Sequence, residues 1–255
     1  MKKLALLLGA LTFLLAPSAS QAREAKSGFD TDARVALDGY EALVEQQLEW
    51  TLASLKTLAA TEEAVSGDWE HLKGPLGKLA EGMPTHAAIW FARPDGSYFT
   101  VEKGLTDQNL KDRAYFPLLL GGRDVAGDLV ISKSTGKKSV VVATPVKADG
   151  KVVGALGISI SVEQLAQLVE DRMRFPKDVA FYALDTQGQT ALHRETKLMF
   201  EFPSDMGSPT LSAAVKTMLT EPEGMVSYEF GGKQKLAIFQ KSKLTGWVFV
   251  LGKTK

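Results

Sequence analysis

The chain has no cysteine among its 255 residues. Disulfides, thiol catalysis and cysteine metal sites are therefore excluded, and stability has to come from packing alone. Histidine is scarce too. His71, His86 and His193 are the full set, and none stands at metal-ligand spacing from another histidine or from a carboxylate on the same helix face. No metal and no other cofactor is expected. The sequence also lacks a Gly-x-Ser-x-Gly elbow, a phosphate loop and a dinucleotide fingerprint, and its Gly121-Gly122 and Gly231-Gly232 pairs read as turns. Nothing points to an enzyme. An excess of one charge is missing as well, with 30 basic against 30 acidic residues, so there is no electrostatic case for nucleic acid.

Long apolar runs are also absent. The only sizeable one covers residues 4–15, and its 12 residues fall short of the roughly 20 that a membrane-spanning helix needs. It follows Met1-Lys2-Lys3 and precedes Ala16-Pro17 and the small residues ending Ser20-Gln21-Ala22. A short positive start, an apolar middle and small residues at the −3 and −1 positions predict a secretory signal peptide at 1–22, cut after Ala22. The mature chain, without Lys2 and Lys3, is then slightly acidic and is expected to be periplasmic or secreted. It is long enough to bury one core or two small ones.

Residues 32–60 carry Leu37, Tyr40, Val44, Leu48, Leu52, Leu55 and Leu58 in steps of three and four. That spacing predicts one long helix with a single apolar stripe and a solvated opposite face. Asp68 is a predicted N-cap for a second helix with Trp69, Leu72, Leu76 and Leu79 on one side, which Gly74-Pro75 should kink or split. Strand signals follow at 87–92 and 97–101 around Pro94-Asp95-Gly96, then a polar stretch at 102–111 and a short apolar segment to Leu120. A strand at 127–132 precedes a hairpin, 139–147 with 151–161, around Asp149-Gly150. Ser161 is placed to cap a helix over 162–173. The pattern then recurs: a hairpin at 179–184 and 189–193, a helix from Pro209 to Leu219, and strands at 225–230, 233–240 and 247–251. Hairpin, helix, three strands thus occurs twice, with a join near Phe175-Pro176.

The order of these pieces carries a resemblance. A long helix and a hairpin lead to Asp112-Arg113-Ala114-Tyr115-Phe116-Pro117, then a strand ending at Thr135-Gly136. Next come Ala143-Thr144-Pro145-Val146, Asp149-Gly150-Lys151-Val152-Val153-Gly154 and Gly157-Ile158-Ser159-Ile160. Over about residues 32–252 the chain resembles the double Cache family of extracytoplasmic sensor domains. The resemblance implies an α+β fold, a long N-terminal helix followed by two PAS-like antiparallel-sheet modules. They are expected at 32–176, with the ligand pocket, and at 177–255. Most members are sensory parts of chemoreceptors, histidine kinases or cyclic-dinucleotide enzymes held by two membrane helices. This chain stops at Lys255 with no second span, and is expected to work as a free-standing exported protein.

The resemblance also implies site residues. Arg113 stands where the family grips a ligand carboxylate, and a guanidinium fork matches a carboxylate bidentately; the competing reading is an ion pair with Asp112. Tyr115 and Phe116 stand where aromatic pocket walls are expected, with core packing as the alternative. Amino-acid-binding members carry two acids for the ligand's ammonium group. Here those positions are Ser132 and Ser159, and an expected tyrosine is Gln108. Lys133 beside Ser132 should point away into solvent if strand alternation continues. From their strand positions, Thr144 in the Ala-Thr-Pro-Val strand and Trp90 and Tyr98 on the first hairpin complete the candidate lining, with β-propensity alone as the alternative for Thr144 and core packing the favoured role for Trp90. The expected ligand is therefore a small organic anion without an ammonium group, with a membrane sensor or transporter as a partner. The competing function is an accessory protein that docks on a membrane sensor through its long helix and binds little ligand. A hydrolase would need a nucleophile and base within hydrogen-bond reach.

Overall fold

The computed structural model describes residues 32–254, so the predicted signal peptide lies outside the described residues. Helix α1 (Ala33–Ala59) buries Leu37, Tyr40, Val44, Leu48, Thr51, Leu55 and Ala59, the stripe that the three-four spacing predicts. Thr51 sits in that stripe because its hydroxyl donates to the Gln47 carbonyl at 2.7 Å, satisfying a polar group inside the core. The large apolar members of the stripe represent roughly 10 kcal/mol of transfer free energy before the entropy of ordering is subtracted. Thr61 caps a one-turn helix α2 (Glu62–Val65). Asp68 caps α3 (Trp69–Glu81), its side chain accepting from the Glu70 N–H.

Helix α3 runs through Pro75 instead of splitting at Gly74-Pro75. Leu72 and Leu76 hold the buried side, while His71, whose carbonyl loses its partner to the proline ring, is exposed to water.

Two antiparallel sheets follow. The first contains β1 (His86–Ala92), β2 (Ser97–Thr100), β3 (Gly104–Asn109), β4 (Val125–Ile131), β5 (Lys138–Ala148) and β6 (Lys151–Ser161), in the order β3-β2-β1-β6-β5-β4. The short α4 (Phe116–Leu120) connects β3 to β4, and α5 (Val162–Met173), capped by Ser161, leaves β6. The second sheet contains β7 (Val179–Leu184), β8 (Thr190–His193), β9 (Glu223–Phe230), β10 (Lys233–Lys241) and β11 (Val248–Thr254), in the order β8-β7-β11-β10-β9. Helix α6 (Pro209–Thr220) joins β8 to β9. With β3 set aside, the two orders correspond strand for strand, so the sequence repeat is a repeat of topology. Strand β3 is the addition. Its residues are mostly exposed, and it is held by backbone pairing to β2, which is why its polar sequence shows no strand period.

The Asp149-Gly150 turn between β5 and β6 has φ of 49° and 77° at its two central residues. This is the mirror-image turn that suits the twist of a hairpin.

Strand alternation sends the sheets' side chains to different cores. One face of both sheets, with Ile89, Phe91, Val142, Ile158, Phe181 and Phe249, joins the stripe of α1 in a common cluster. Tyr40 anchors that cluster on the second sheet, with ring centroids 5.4 Å from Phe181 and 5.1 Å from Phe249. The opposite face of the first sheet carries its own cluster, including Trp90, Tyr98, Tyr115, Phe116 and Leu119. The opposite face of the second sheet carries another with Tyr182, Tyr228 and α6. Between the sheets, the fully buried Trp247 donates its indole N–H to the Gly127 carbonyl at 3.0 Å. Gly127 has φ +111°, and a Cβ there would lie 3.0 Å from Thr245, so a side chain at that position would be strained and would crowd Thr245.

Candidate ligand-binding site

The face of the first sheet turned away from α1 holds a small cavity. Six of the eight predicted site residues line it: Trp90, Tyr98, Arg113, Tyr115, Ser132 and Ser159. Strand period explains the convergence. Trp90 on β1 and Ser159 on β6 share a face with Ala92, Ala155 and Val141, while the segment after β3 brings Arg113 and Tyr115 over the sheet. Gly157 makes room for the floor. Trp90 and Gly157 are direct cross-strand partners, and a Cβ on Gly157 would fall 2.0 Å from the indole Cζ2. Tyr115 lies over the indole at 6.4 Å between centroids. Burial raises its phenol well above the ordinary tyrosine value, so the hydroxyl stays protonated.

Arg113 is one of two cations in the lining, with Lys133. Its Nη2 donates to the Ile131 carbonyl at 2.6 Å, and its Nε is buried with no hydrogen-bond partner among the described residues. A buried, unpaired guanidinium donor costs free energy that an incoming acceptor would relieve. The ion pair with Asp112 does not form. Asp112 instead takes Lys133 at 2.6 Å, and that bond holds its carboxyl below the usual aspartate value. No aspartate or glutamate lines the cavity among the described residues; Ser132 and Ser159 stand there.

Two predicted residues lie elsewhere. Phe116 begins α4 and packs into the cluster beneath it, 1 % exposed, without lining the cavity. Thr144 alternates with Ala143 and so turns to the α1 side of the sheet. There its hydroxyl donates to Asp124 Oδ1 at 2.7 Å, and Asp124 Oδ2 accepts from Lys56 of α1 at 3.0 Å. Thr144 therefore fastens the strand to the helix.

Lys133 corrects a further expectation. Strand β4 ends at Ile131, and residues 132–137 form a turn closed by Ser132 N–H to Lys137 O and Gly136 N–H to Ser132 O. Alternation stops with the strand, so Lys133 folds over the cavity instead of pointing into solvent. Its Nζ donates to Asn109 O at 2.5 Å and to Asp112 Oδ1 at 2.6 Å. Leu110, Val130 and Ser134 also line the cavity and were not legible as site residues, since only the folded segment brings them in. Gln108 is exposed on β3 and takes no part.

The cavity has a volume of about 10 Å³, room for about one water. Lys133, bonded to Asp112, forms part of its lining.

The sequence matches the Cache domain family over residues 18–254. The chain belongs to that family. The methyl-accepting chemotaxis protein PscA of Pseudomonas syringae pv. tomato is 22% identical over 182 residues, which is 68% of this chain and 28% of PscA. The chain thus spans little more than a quarter of that relative. Two solved structures share the fold. The ligand-binding domain of the Pseudomonas aeruginosa amino acid chemoreceptor PctB, in complex with L-Gln, has a TM-score of 0.70 at 14% identity, with 87% of this chain and 89% of that one covered. The sensory domain of the Campylobacter jejuni chemoreceptor Tlp3, with isoleucine bound, has a TM-score of 0.65 at 14% identity, with 92% of this chain and 95% of that one covered. The fold is therefore that of Cache sensory domains. No described helix is long and apolar enough to cross a membrane.

Proposed function

We propose that this chain is an extracytoplasmic small-molecule-binding domain whose first sheet captures a simple organic carboxylate at Arg113. The observation that carries this reading is the buried guanidinium Nε without a partner in a cavity lined by no acid. The ligand's carboxylate accepts from Nε–H and from the second Nη2 proton, side-on to the guanidinium plane. Trp90 and Tyr115 exclude water beside this contact and strengthen it. An α-ammonium group finds no counter-charge, and leaving one unpaired in a dry site costs on the order of several kcal/mol. The domain accordingly favours short hydroxy or keto acids over zwitterionic amino acids. In this it differs from its amino-acid-binding fold relatives.

Because the cavity has room for about one water, capture of a hydroxy or keto acid requires the turn at 132–137 and the 110–115 segment to part. Ligand affinity is reduced by whatever free energy that opening costs. The two sheets act as two PAS-like modules, 32–176 and 177–255, and the exported domain works as a co-sensor or carrier with a membrane sensor or transporter.

A thermal-shift screen of the protein against hydroxy acids, keto acids, amino acids and amines tests the reading. A ligand at a hundred times its Kd adds about 2.7 kcal/mol of stability. A response confined to amines or amino acids would overturn it.

A second reading has an observation of its own. Trp50 on α1 is 62% exposed and lies in a surface groove with Leu43, Leu168 and Met173, between α1 and α5. Docking of a membrane partner on that groove accounts for an exposed indole that ligand capture leaves unexplained. Trp50→Ala then abolishes partner recruitment and leaves ligand affinity unchanged.

A further inference from the structure

The second sheet holds a cavity of its own, about 40 Å³ in volume. It occupies the same place in the topological repeat as the Arg113 site. Tyr182 on β7 corresponds in strand to Trp90 on β1, and both cavities lie on the face turned away from α1. The 3₁₀ turns Thr196–Leu198 and Pro203–Asp205 flank it, supplying Leu198 and Pro203.

Its chemistry is the opposite of the first site. No Asp, Glu, Lys or Arg lines it among the described residues. The polar groups are Tyr182, Tyr228, Thr190 and His193. The two phenols satisfy each other, oxygen to oxygen at 3.0 Å. His193 accepts the Glu195 backbone N–H on Nδ1 at 2.7 Å, which puts the proton of the neutral ring on Nε2. Burial pushes the ring's pKa down to about 4, so it is neutral at ordinary pH. The imidazole is held against Tyr182, with centroids 5.8 Å apart and planes at 23°. Among the described residues no hydrogen bond involves His193 Nε2 or the Thr190 hydroxyl, and neither atom is fully shut off from solvent. The rest of the wall is apolar, with Leu198, Met206 and Leu211 among its members.

From this arrangement we propose that the second sheet carries a separate binding site for a small neutral organic molecule with one hydrogen-bond acceptor, such as a short ketone, alcohol or amide. His193 Nε2–H donates to the ligand's oxygen, Thr190 offers a second hydrogen bond, and the apolar wall takes the hydrocarbon part. An anion is rejected, because it loses its hydration with no cation to replace it. At about 10–15 Å³ per water-sized position, the cavity accommodates about three such positions, which limits the ligand to a few non-hydrogen atoms. This site does not depend on the reading of Arg113.

The test uses 2-butanone, with propionate as a charged molecule of nearly the same shape. Each is titrated into the whole protein while the Met206 methyl and His193 imidazole signals are followed by NMR. The expected result is saturable shifts of both with 2-butanone and none with propionate, unchanged by Arg113→Ala. In His193→Phe, which keeps an aromatic ring against Tyr182 and removes the donor, affinity for 2-butanone falls about tenfold, as expected for one lost hydrogen bond. Thr190→Val keeps the shape, guards against misfolding of the first variant, and weakens binding severalfold. No saturable shift with 2-butanone, equal shifts with propionate, or full affinity in both variants would each overturn the proposal.

Discussion

Substituting Gly157 by alanine is a stringent probe of how the Arg113 site is built. The new methyl would stand 2.0 Å from Trp90 Cζ2 and 2.4 Å from both Cε2 and Cη2. These are atoms of a rigid ring on the adjacent strand, so no flexible chain end can swing aside. The backbone cannot yield easily either, since β6 is paired on one side to β1 and on the other to β5. Trp90 lines the cavity, which has room for about one water, so the space beside the indole is small. Overpacking of this kind costs about 1–3 kcal/mol. In a domain of this size each kcal/mol lowers Tm by roughly 2–4 °C, so a drop of roughly 2–12 °C is expected. The displaced indole also fills the site, so carboxylate binding should be lost. Gly77→Ala is the matched control. Gly77 sits in helix α3 with only the Val101 Cγ1 methyl, at an ordinary 4.0 Å, near its would-be Cβ, and the same one-methyl change there should stabilise by about 1 kcal/mol. Calorimetric melting of both variants, with ligand titrated into the first, decides the matter. If Gly157→Ala melts with the parent and still binds, the placement of Trp90 is wrong.

Other expectations follow from buried polar groups. Tyr40 has a buried hydroxyl without a partner among the described residues, so Tyr40→Phe should raise stability by about 1 kcal/mol in urea titration. Trp247→Phe removes the donor to the Gly127 carbonyl and should cost about 1–3 kcal/mol by the same assay. His193 is depressed to about 4 from 6.5, so the unfolded chain binds more protons than the folded one between those values. Its contribution is complete above pH 6.5 and is lost as pH falls toward 4, by about 3 kcal/mol in all. The acid limb of a stability profile should therefore flatten in His193→Phe. Asp128 is shifted the other way, raised first by burial and then by the Asp185 carboxylate. Its folded form prefers the proton, so stability declines as pH rises above the ordinary aspartate range, and Asp128→Asn should gain on the parent toward neutral pH.

The elements that could be read from sequence are those whose signal is local. The stripe of α1, the caps Asp68 and Ser161, and the Asp149-Gly150 turn each depend on a few neighbouring residues, and all are found where their side chains put them. Strand β3 escaped because backbone pairing with β2 holds it, and such pairing leaves no period in an exposed sequence. Lys133 was misplaced because its orientation depends on where β4 stops, one residue after which alternation has no meaning. Thr144 was assigned to the site on the strength of its motif, although its odd-even relation to Ala143 and Val141 already put it on the other face. No spacing rule singles out His193, because its stacking on Tyr182 and the bond from Glu195 are made only in the folded chain. The Arg113 and Tyr115 positions were reached only through the resemblance, since an Arg-x-Tyr in isolation says nothing about what lies across from it.

The central claim is that Arg113 grips a carboxylate in a site with no place for an ammonium. Isothermal titration of the protein and of Arg113→Ala and Arg113→Lys, with a panel of short hydroxy and keto acids and their α-amino counterparts, addresses it directly. The expected result is binding of a simple acid by the parent and a loss of about 2–5 kcal/mol in Arg113→Ala. Arg113→Lys should recover only part of that loss, because a point charge cannot reproduce the side-on fork. Equal affinity of the parent and Arg113→Ala for the same acid, or tight binding of the amino acid in preference to its hydroxy analogue, would contradict the account.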